Sequence, residues 1–225
     1  MPAPIRATEA LDRRSSGEHA AIHIKRMIFD QRLRAGDRVP QEAVAHTLGI
    51  SRIPVREALI ALDAEGWVTL EVHRGAFVNG FDEPAIRDHY AMFGRIYGLV
   101  AERALARAAD NIELADQLDV IIGRLGKADN AARAQRVALD FHDAIIDAAN
   151  SPRIRAHLHS MSGLIPGNFF LEVPGTIPVE RIGLAAIARA VRSNDGAGAG
   201  TEYETMIDHH AGLVVALFRN RGFFP

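Results

Sequence analysis

The N-terminal part of the chain contains the sequence LGISRIPVREAL, Leu48–Leu59, which has the signals of one helix ending and another beginning. Gly49 stands where a helix is expected to end, because the residue after the last helical turn is commonly a glycine. Ser51 is a residue type favoured at helix N-termini, so a second helix is predicted to begin directly after it. Pro54 fits the first turn of that helix, where N–H groups have no helical partner. The stretch therefore predicts two helices joined by a short glycine-containing turn, which is a helix-turn-helix.

The flanking sequence extends this motif to a winged form. Apolar residues at helical spacings from Gly17 onward predict a first helix, which the sequence RAGD at 34–37 interrupts. The segment WVTLEVHRGAFV at 67–78 alternates apolar and polar residues and predicts a β-hairpin. We therefore expect a winged helix-turn-helix domain over residues 17–80, preceded by a flexible arm over residues 1–16.

Beyond residue 80 the strand signals vanish, and alanine and other helix-forming residues dominate. The region 81–225 is predicted to be an all-helical bundle, which makes the chain mainly α. The Gly- and Ala-rich stretch at 195–200 is predicted to be a break between helices. The six predicted helices span approximately residues 83–108, 112–128, 131–149, 152–168, 178–194 and 201–220.

Composition excludes several classes of protein. The chain is 48% hydrophobic and 24% charged with a net charge of −2, which indicates a globular protein rather than a disordered or strongly basic one. The absence of cysteine excludes disulfides, thiolate metal sites and cysteine nucleophiles. The first residues have no apolar core of a signal peptide, and the apolar run Ala211–Phe218 is far shorter than the roughly 20 residues of a membrane span. A cytoplasmic protein without a membrane partner is expected.

Charged residues of the predicted winged domain suggest contact with DNA. Arg52 and Arg56 are four residues apart, so they lie on one face of the second helix of the motif. Arginine suits guanine edges and phosphates, and Ser51 can donate to a phosphate. Each feature alone has an ordinary explanation, a solvated helix face or a simple turn, but the combination in this order favours DNA binding. The predicted tip of the wing adds three further candidates, His73, Arg74 and Gly75.

The same region resembles the DNA-binding domain of the GntR family of bacterial transcription regulators. The resemblance rests on LRAGDRV at Leu33–Val39, EAVAHTLGISRIPVREAL at Glu42–Leu59, EGWV at Glu65–Val68 and RGAFV at Arg74–Val78. It implies operator binding as a homodimer, with Ser51, Arg52 and Arg56 as recognition-helix contacts and His73, Arg74 and Gly75 as wing contacts. Two positions depart from the pattern. Ile53 replaces a common threonine, and Glu42 stands where some members carry an arginine that contacts DNA.

The helical part resembles the FCD-type effector domain of the FadR-like branch of that family, best over FHDAIIDAANSP at Phe141–Pro152. The resemblance implies a pocket for a small effector. In many members one aspartate and three histidines also hold a divalent metal in that pocket, as suits zinc, nickel or manganese. Here Ala138 replaces the aspartate and Leu184 replaces one histidine, so no metal cofactor is expected. If a metal were bound, its ligands would be His142 and His209, or His210 in place of His209. The predicted effector-binding residues are His142, His209, Tyr97, Leu184 and Ala138.

Two other functions remain as alternatives. One is a DNA-binding protein that responds to no effector. The other is a metal-dependent enzyme that uses the histidines of the helical part. The enzyme alternative is weak because the sequence has neither a GxSxG nor an HExxH motif, and the glycines at Gly196–Gly200 follow a helix rather than a strand. We therefore expect a ligand-responsive transcription regulator rather than an enzyme.

Overall fold

The computed structural model describes residues 15–107 and 111–224, and the chain divides into two compact units, Met1–Gly80 and Phe81–Pro225. Most of the predicted arm, residues 1–14, lies outside the described residues. Its last two residues belong to the start of the first helix, Ser15 as the cap and Ser16 as the first helical residue. Ser15 caps the first helix, and its hydroxyl accepts a hydrogen bond from the Glu18 backbone N–H at 3.1 Å. The Glu18 carboxylate accepts in return from the Ser15 N–H at 2.6 Å, so the helix begins at Ser16.

Over its described residues, 15–80, the N-terminal unit consists of three helices followed by a two-stranded antiparallel hairpin, which confirms the predicted winged helix-turn-helix. Its elements are α1 (Ser16–Phe29), α2 (Gln41–Leu48), α3 (Arg52–Ala64), β1 (Val68–Glu71) and β2 (Gly75–Val78). The strands pair from Val68 opposite Val78 to Glu71 opposite Gly75. Helices α1 and α3 pack together through fully buried apolar side chains, among them Ile24, Ile28, Phe29, Leu59 and Leu62.

The turn between α2 and α3 has the backbone that the sequence indicates. Gly49 adopts the left-handed conformation with φ of 64°, and its N–H returns to the carbonyls of Ala45 and His46. Ser51 is the N-terminal cap residue of α3, with extended backbone angles. Among the described residues its hydroxyl has no capping partner, so this hydroxyl is not used in holding the helix end.

The C-terminal unit is all-helical over its described residues, as predicted. It contains one more helix than expected, the single turn α8, and α7 ends at Met161 rather than near residue 168. Pro166 and the left-handed Gly167, with φ of 99°, disfavour a longer α7. The helices are α4 (Glu83–Arg107), α5 (Asn111–Leu125), α6 (Ala131–Ala149), α7 (Pro152–Met161), α8 (Phe169–Glu172), α9 (Thr176–Arg192) and α10 (Gly196–Asn220).

The predicted break at 195–200 is wrong, because α10 already begins at Gly196. The Asp195 carboxylate caps this helix by accepting a hydrogen bond from the Gly198 N–H at 2.8 Å. Two of the glycines there, Gly196 and Gly200, serve the packing of α10 on α4. A Cβ atom at Gly98 would lie only 3.3 Å from the Cα of Gly200, so the two helices meet backbone to backbone.

None of the described helices combines the length and the apolar character needed to cross a membrane.

Candidate functional site

A groove of about 1030 Å³ opens on the N-terminal unit between α2, α3 and the hairpin. We call it the basic groove, because four of its lining side chains are those of three arginines and one histidine. These are Arg38, Arg52, Arg56 and His73. Two acids, Glu42 and Glu71, line it as well. Arg52 and Arg56 project from the first two turns of α3 and are exposed, so the groove presents an accessible cationic surface.

The predicted DNA contacts fall into three groups. Arg52, Arg56, His73 and Gly75 all line the basic groove. Ser51 is exposed at the start of α3, directly before Arg52. Arg74 instead lies against its own hairpin, where it forms an ion pair with Glu71 and its guanidinium stands 5.3 Å from the centre of the Phe77 ring.

Arg38 is a groove residue that was not among the predicted contacts. Its backbone forms an isolated bridge with Phe77 of β2, and the next residue, Val39, donates to the Ala76 carbonyl at 2.9 Å. The Arg38 guanidinium then lies under Gly75, where a Cβ atom would come within 2.9 Å of Nε. Gly75 also has φ of 110°, so its backbone conformation disfavours a side chain there, whereas the flexible Arg38 side chain could move aside. The sequence shows Arg38 in the segment LRAGDRV but not this pairing with a distant strand.

A second group of polar side chains lies inside the helical unit. We call it the carboxylate cluster, and it consists of Glu180, His142, His210, Tyr203 and Tyr97. Glu180 is only 3% exposed. One of its carboxylate oxygens lies 3.0 Å from His142 Nε2, and the other lies 3.4 Å from His210 Nε2. The other ring nitrogen of His142 lies 3.3 Å from the Tyr203 hydroxyl, and the Tyr97 ring stacks on Tyr203 at 5.0 Å. The cluster thus joins α4, α6, α9 and α10.

Burial and charge set the ionisation of these groups. Burial would raise the pKa of the Glu180 carboxyl, but the hydrogen bond with His142 and the charges of His142 and His210 outweigh it, so this pKa lies below its usual value. Burial lowers the pKa of His210, which the attraction to Glu180 only partly offsets. Burial also raises the pKa of Tyr97 and of Tyr203. At neutral pH the cluster therefore holds an ionised carboxylate beside neutral phenols.

The predicted effector residues lie partly in this cluster. His142 and Tyr97 belong to it, and Ala138 and Leu184 are buried. His209 is exposed, so His210 is the histidine that faces the interior. Consecutive helical residues point about 100° apart, and a register error of one residue therefore exchanges an interior position for a surface one.

Glu180 was missed at the sequence level. It precedes Leu184 by one turn and shares the apolar face of α9 with Leu184, Ile187 and Val191, all of which are buried. A single acid on such a face is the signal that would have identified it, since buried carboxylates require partners.

The donor set does not fit the metal site that the FCD resemblance implies. Ala138 and Leu184 offer no ligand atom, and the two interior histidines both face the Glu180 carboxylate. Over residues 15–107 and 111–224, no group of three or more histidine, aspartate or glutamate side chains is arranged to hold a metal ion.

Acidification is expected to destabilise the helical unit. Burial lowers the pKa of His89 and of His210 below the ordinary value of 6.5, so the folded state holds both rings neutral while the unfolded chain takes up protons. These two histidines therefore do not reduce the free energy of unfolding above pH 6.5, but they lower it as the pH drops from 6.5 toward their pKa values in the folded state. Glu180 adds a further loss of stability at more acidic pH, below its ordinary pKa of 4.5, because its folded-state pKa is lowered.

Urea denaturation followed by circular dichroism at pH values between 8 and 5 measures the loss of stability caused by the two histidines. The His89→Gln, His210→Gln double variant should show a flatter profile, and a wild-type stability that rises on acidification would contradict the assignment.

Each of the two units matches a known protein family. Residues 17–78 match the family of bacterial regulatory proteins named gntR, and residues 88–211 match the FCD domain. The chain is 31% identical over 154 residues to an uncharacterized HTH-type transcriptional regulator of Mycobacterium tuberculosis, a match that covers 68% of this chain and 62% of that relative. It is 24% identical over 137 residues to the Nta operon transcriptional regulator of Aminobacter aminovorans, which covers 60% of this chain and 65% of that relative.

Solved structures show the same fold. McbR/YncC of E. coli aligns over 92% of this chain and 99% of its own with a TM-score of 0.62 and 15% identity. A transcriptional regulator of the GntR type from Rhodococcus aligns over 90% and 99% with a TM-score of 0.55 and 22% identity. The matched families and relatives are transcriptional regulators and not enzymes, which agrees with the expectation from sequence. With a DNA-binding match over its winged unit and an FCD match over more than half its length, the chain belongs to the GntR family of bacterial transcriptional regulators, as a member with an FCD domain.

Proposed function

We propose that this regulator binds operator DNA in the cytoplasm as a homodimer, through the basic groove, and that a small molecule bound in the helical unit controls its affinity for the operator. The observation that carries the proposal is the convergence of Arg52 and Arg56 of α3 with His73 of the hairpin on one exposed groove. His73 lies on a different element from the two arginines, and the winged fold brings it to the same groove.

The chemistry of the groove suits DNA. A recognition helix enters the major groove with its N-terminal residues at the base edges, and Arg52 and Arg56 occupy that end of α3. A guanidinium can donate two parallel hydrogen bonds to guanine O6 and N7 or to a phosphate. The Ser51 hydroxyl, which makes no capping hydrogen bond within the described part of the chain, supports a phosphate contact beside them, and His73 supports a contact from the wing.

Arg56→Ala tests the proposed base reading. We expect a loss of operator affinity of about 1–3 kcal/mol, or roughly 5- to 150-fold in Kd, because a guanidinium that reads a base contributes on that scale. Titration of a labelled operator at one fixed salt concentration measures it, since phosphate contacts make affinity depend on salt. Arg32→Ala is the matched control, because Arg32 is an exposed arginine of the same unit that pairs with Asp30 outside the groove. Equal affinities of the two variants would contradict the assignment of Arg56.

For the helical unit we propose a pocket that works without a metal and includes His142, Tyr97, Ala138 and Leu184. The FCD match supports an effector there, and the carboxylate cluster supports direct recognition, because Glu180 already engages both interior histidines. An effector changes operator affinity only by its difference in affinity for the two states of the protein.

Melting temperature and operator affinity, measured across carboxylate and neutral metabolites with and without zinc, test this part of the proposal. An effector-independent DNA-binding protein would show no shift with any compound.

A further inference from the structure

We propose that Glu42 determines DNA specificity in the basic groove: it positions the Arg52 guanidinium for a base edge and opposes binding to DNA of the wrong sequence. The inference rests on the proposed operator binding and adds to it a residue that reads no base itself.

The geometry places an acid directly beside one of the arginines of the basic groove. Glu42 lies in the first turn of α2, and its side chain is 78% exposed. Its Oε1 atom lies 3.1 Å from Nη1 of Arg52, whose side chain is 59% exposed. Both residues line the basic groove, so this ion pair connects the two helices of the helix-turn-helix on the side that would face DNA.

Stability does not account for this pair. Ion pairs between exposed side chains add little to folding, because solvent screens the charges and two long side chains lose freedom. An acid in the first turn also interacts favourably with the helix dipole, but any position in that turn would serve equally well. Neither effect explains why Glu42 lies beside Arg52 and inside the groove.

The pair can improve discrimination in two ways. A guanidinium has five N–H donors, so Arg52 can bind Glu42 through Nη1 and still offer Nε and Nη2 to guanine O6 and N7. Holding the side chain in one conformation reduces the ordering cost of that contact at the correct base. The carboxylate meanwhile repels phosphates, and this weakens the electrostatic attraction that supplies most non-specific binding.

Glu42→Gln tests the inference, because it keeps the shape and removes the charge. The measured quantity is the ratio of Kd for a scrambled duplex to Kd for the selected operator, at several salt concentrations. We expect this ratio to fall about tenfold in Glu42→Gln. Binding to the scrambled duplex should tighten, and the loss of discrimination should concentrate at one base pair of each half-site.

Asp30→Asn is the matched control. Asp30 forms an exposed ion pair with Arg32 at 3.4 Å, outside the groove, so its neutralisation changes the net charge by the same amount. We expect it to alter both affinities by similar factors and to leave their ratio within about twofold of wild type. In an Arg52→Ala background, Glu42→Gln should lower the ratio much less, because only the repulsion of phosphates by Glu42 remains once Arg52 is absent.

The outcomes separate the inference from the proposed function. An unchanged ratio in Glu42→Gln, with wild-type discrimination intact, would overturn the role of Glu42 alone. A fall as large in Asp30→Asn, or an undiminished effect of Glu42→Gln without Arg52, would overturn it too. A wild-type protein that binds operator and scrambled duplex equally would contradict the proposed function itself.

Discussion

Glu180→Ala is expected to lower the free energy of unfolding of the helical unit by about 3 kcal/mol. The reason is that His142 and His210 would lose the buried carboxylate that each of them faces. His142 and His210 are 13% and 7% exposed at their side chains, so water cannot readily replace the carboxylate. The expected loss lies at the lower end of the range for buried pairs, since burial keeps His210 neutral and removal of the carboxylate leaves no buried charge on that ring.

Urea denaturation at neutral pH measures this effect in the full chain. The single tryptophan, Trp67, is buried in the N-terminal unit, so its fluorescence follows that unit while circular dichroism follows mainly the helices. Asp140→Ala is the control, because Asp140 pairs with Arg124 at 2.8 Å on the exposed surface of the same unit, and such pairs contribute about 0–1 kcal/mol. Glu180→Gln should lose less than Glu180→Ala, since an amide oxygen still accepts from His142. If Glu180→Ala were as stable as Asp140→Ala, the cluster would not hold the four helices together.

Gly98→Leu should destabilise the helical unit by about 3 kcal/mol, the upper end of the usual cost of overpacking. A Cβ atom there meets the Gly200 Cα at 3.3 Å and its carbonyl oxygen at 3.4 Å. These are backbone atoms of α10 and cannot rotate away, so the two longest helices of the unit must separate.

Gly123→Leu is the control for this variant. It is the same substitution inside a helix, but it is expected to increase stability rather than to decrease it. Gly123 is exposed in α5, and no described atom outside its own turn lies within 4 Å of the added Cβ. Replacement of a glycine in a helix interior is expected to stabilise by about 0.5–1 kcal/mol. Denaturation curves of the two variants that coincide would mean that α4 and α10 do not pack through Gly98 and Gly200.

Local sequence signals account for most of the fold. Gly49 and Ser51 mark a helix end and a helix start by backbone and capping preferences that need no tertiary contact, and the alternation at 67–78 marks the hairpin. Where such preferences compete with packing between helices, they lead to a wrong prediction. The glycines at 196–200 read as a break, but the contact with α4 favours glycine inside a helix. The single turn α8 is too short to produce a periodic pattern.

The candidate sites divide in the same way. Arg52 and Arg56 follow from one helix, so sequence spacing suffices to place them on one face. Arg38 and Glu180 reach their sites through partners more than 30 residues away, Phe77 and His142. Periodicity within one element carries no information about such pairs. The choice between His209 and His210 also could not be made from the sequence, although one of them is exposed and the other is buried.

DNA reading through the basic groove can be tested by selection of duplexes from a random pool, followed by footprinting of the enriched sequence. We expect the wild-type chain to enrich an inverted repeat with two protected half-sites and to bind it as a dimer. The Arg52→Ala, Arg56→Ala double variant, selected in parallel, should enrich no common sequence. Failure of the wild-type chain to enrich any sequence, or enrichment of the same sequence by the double variant, would contradict the claim that this chain reads DNA through the basic groove.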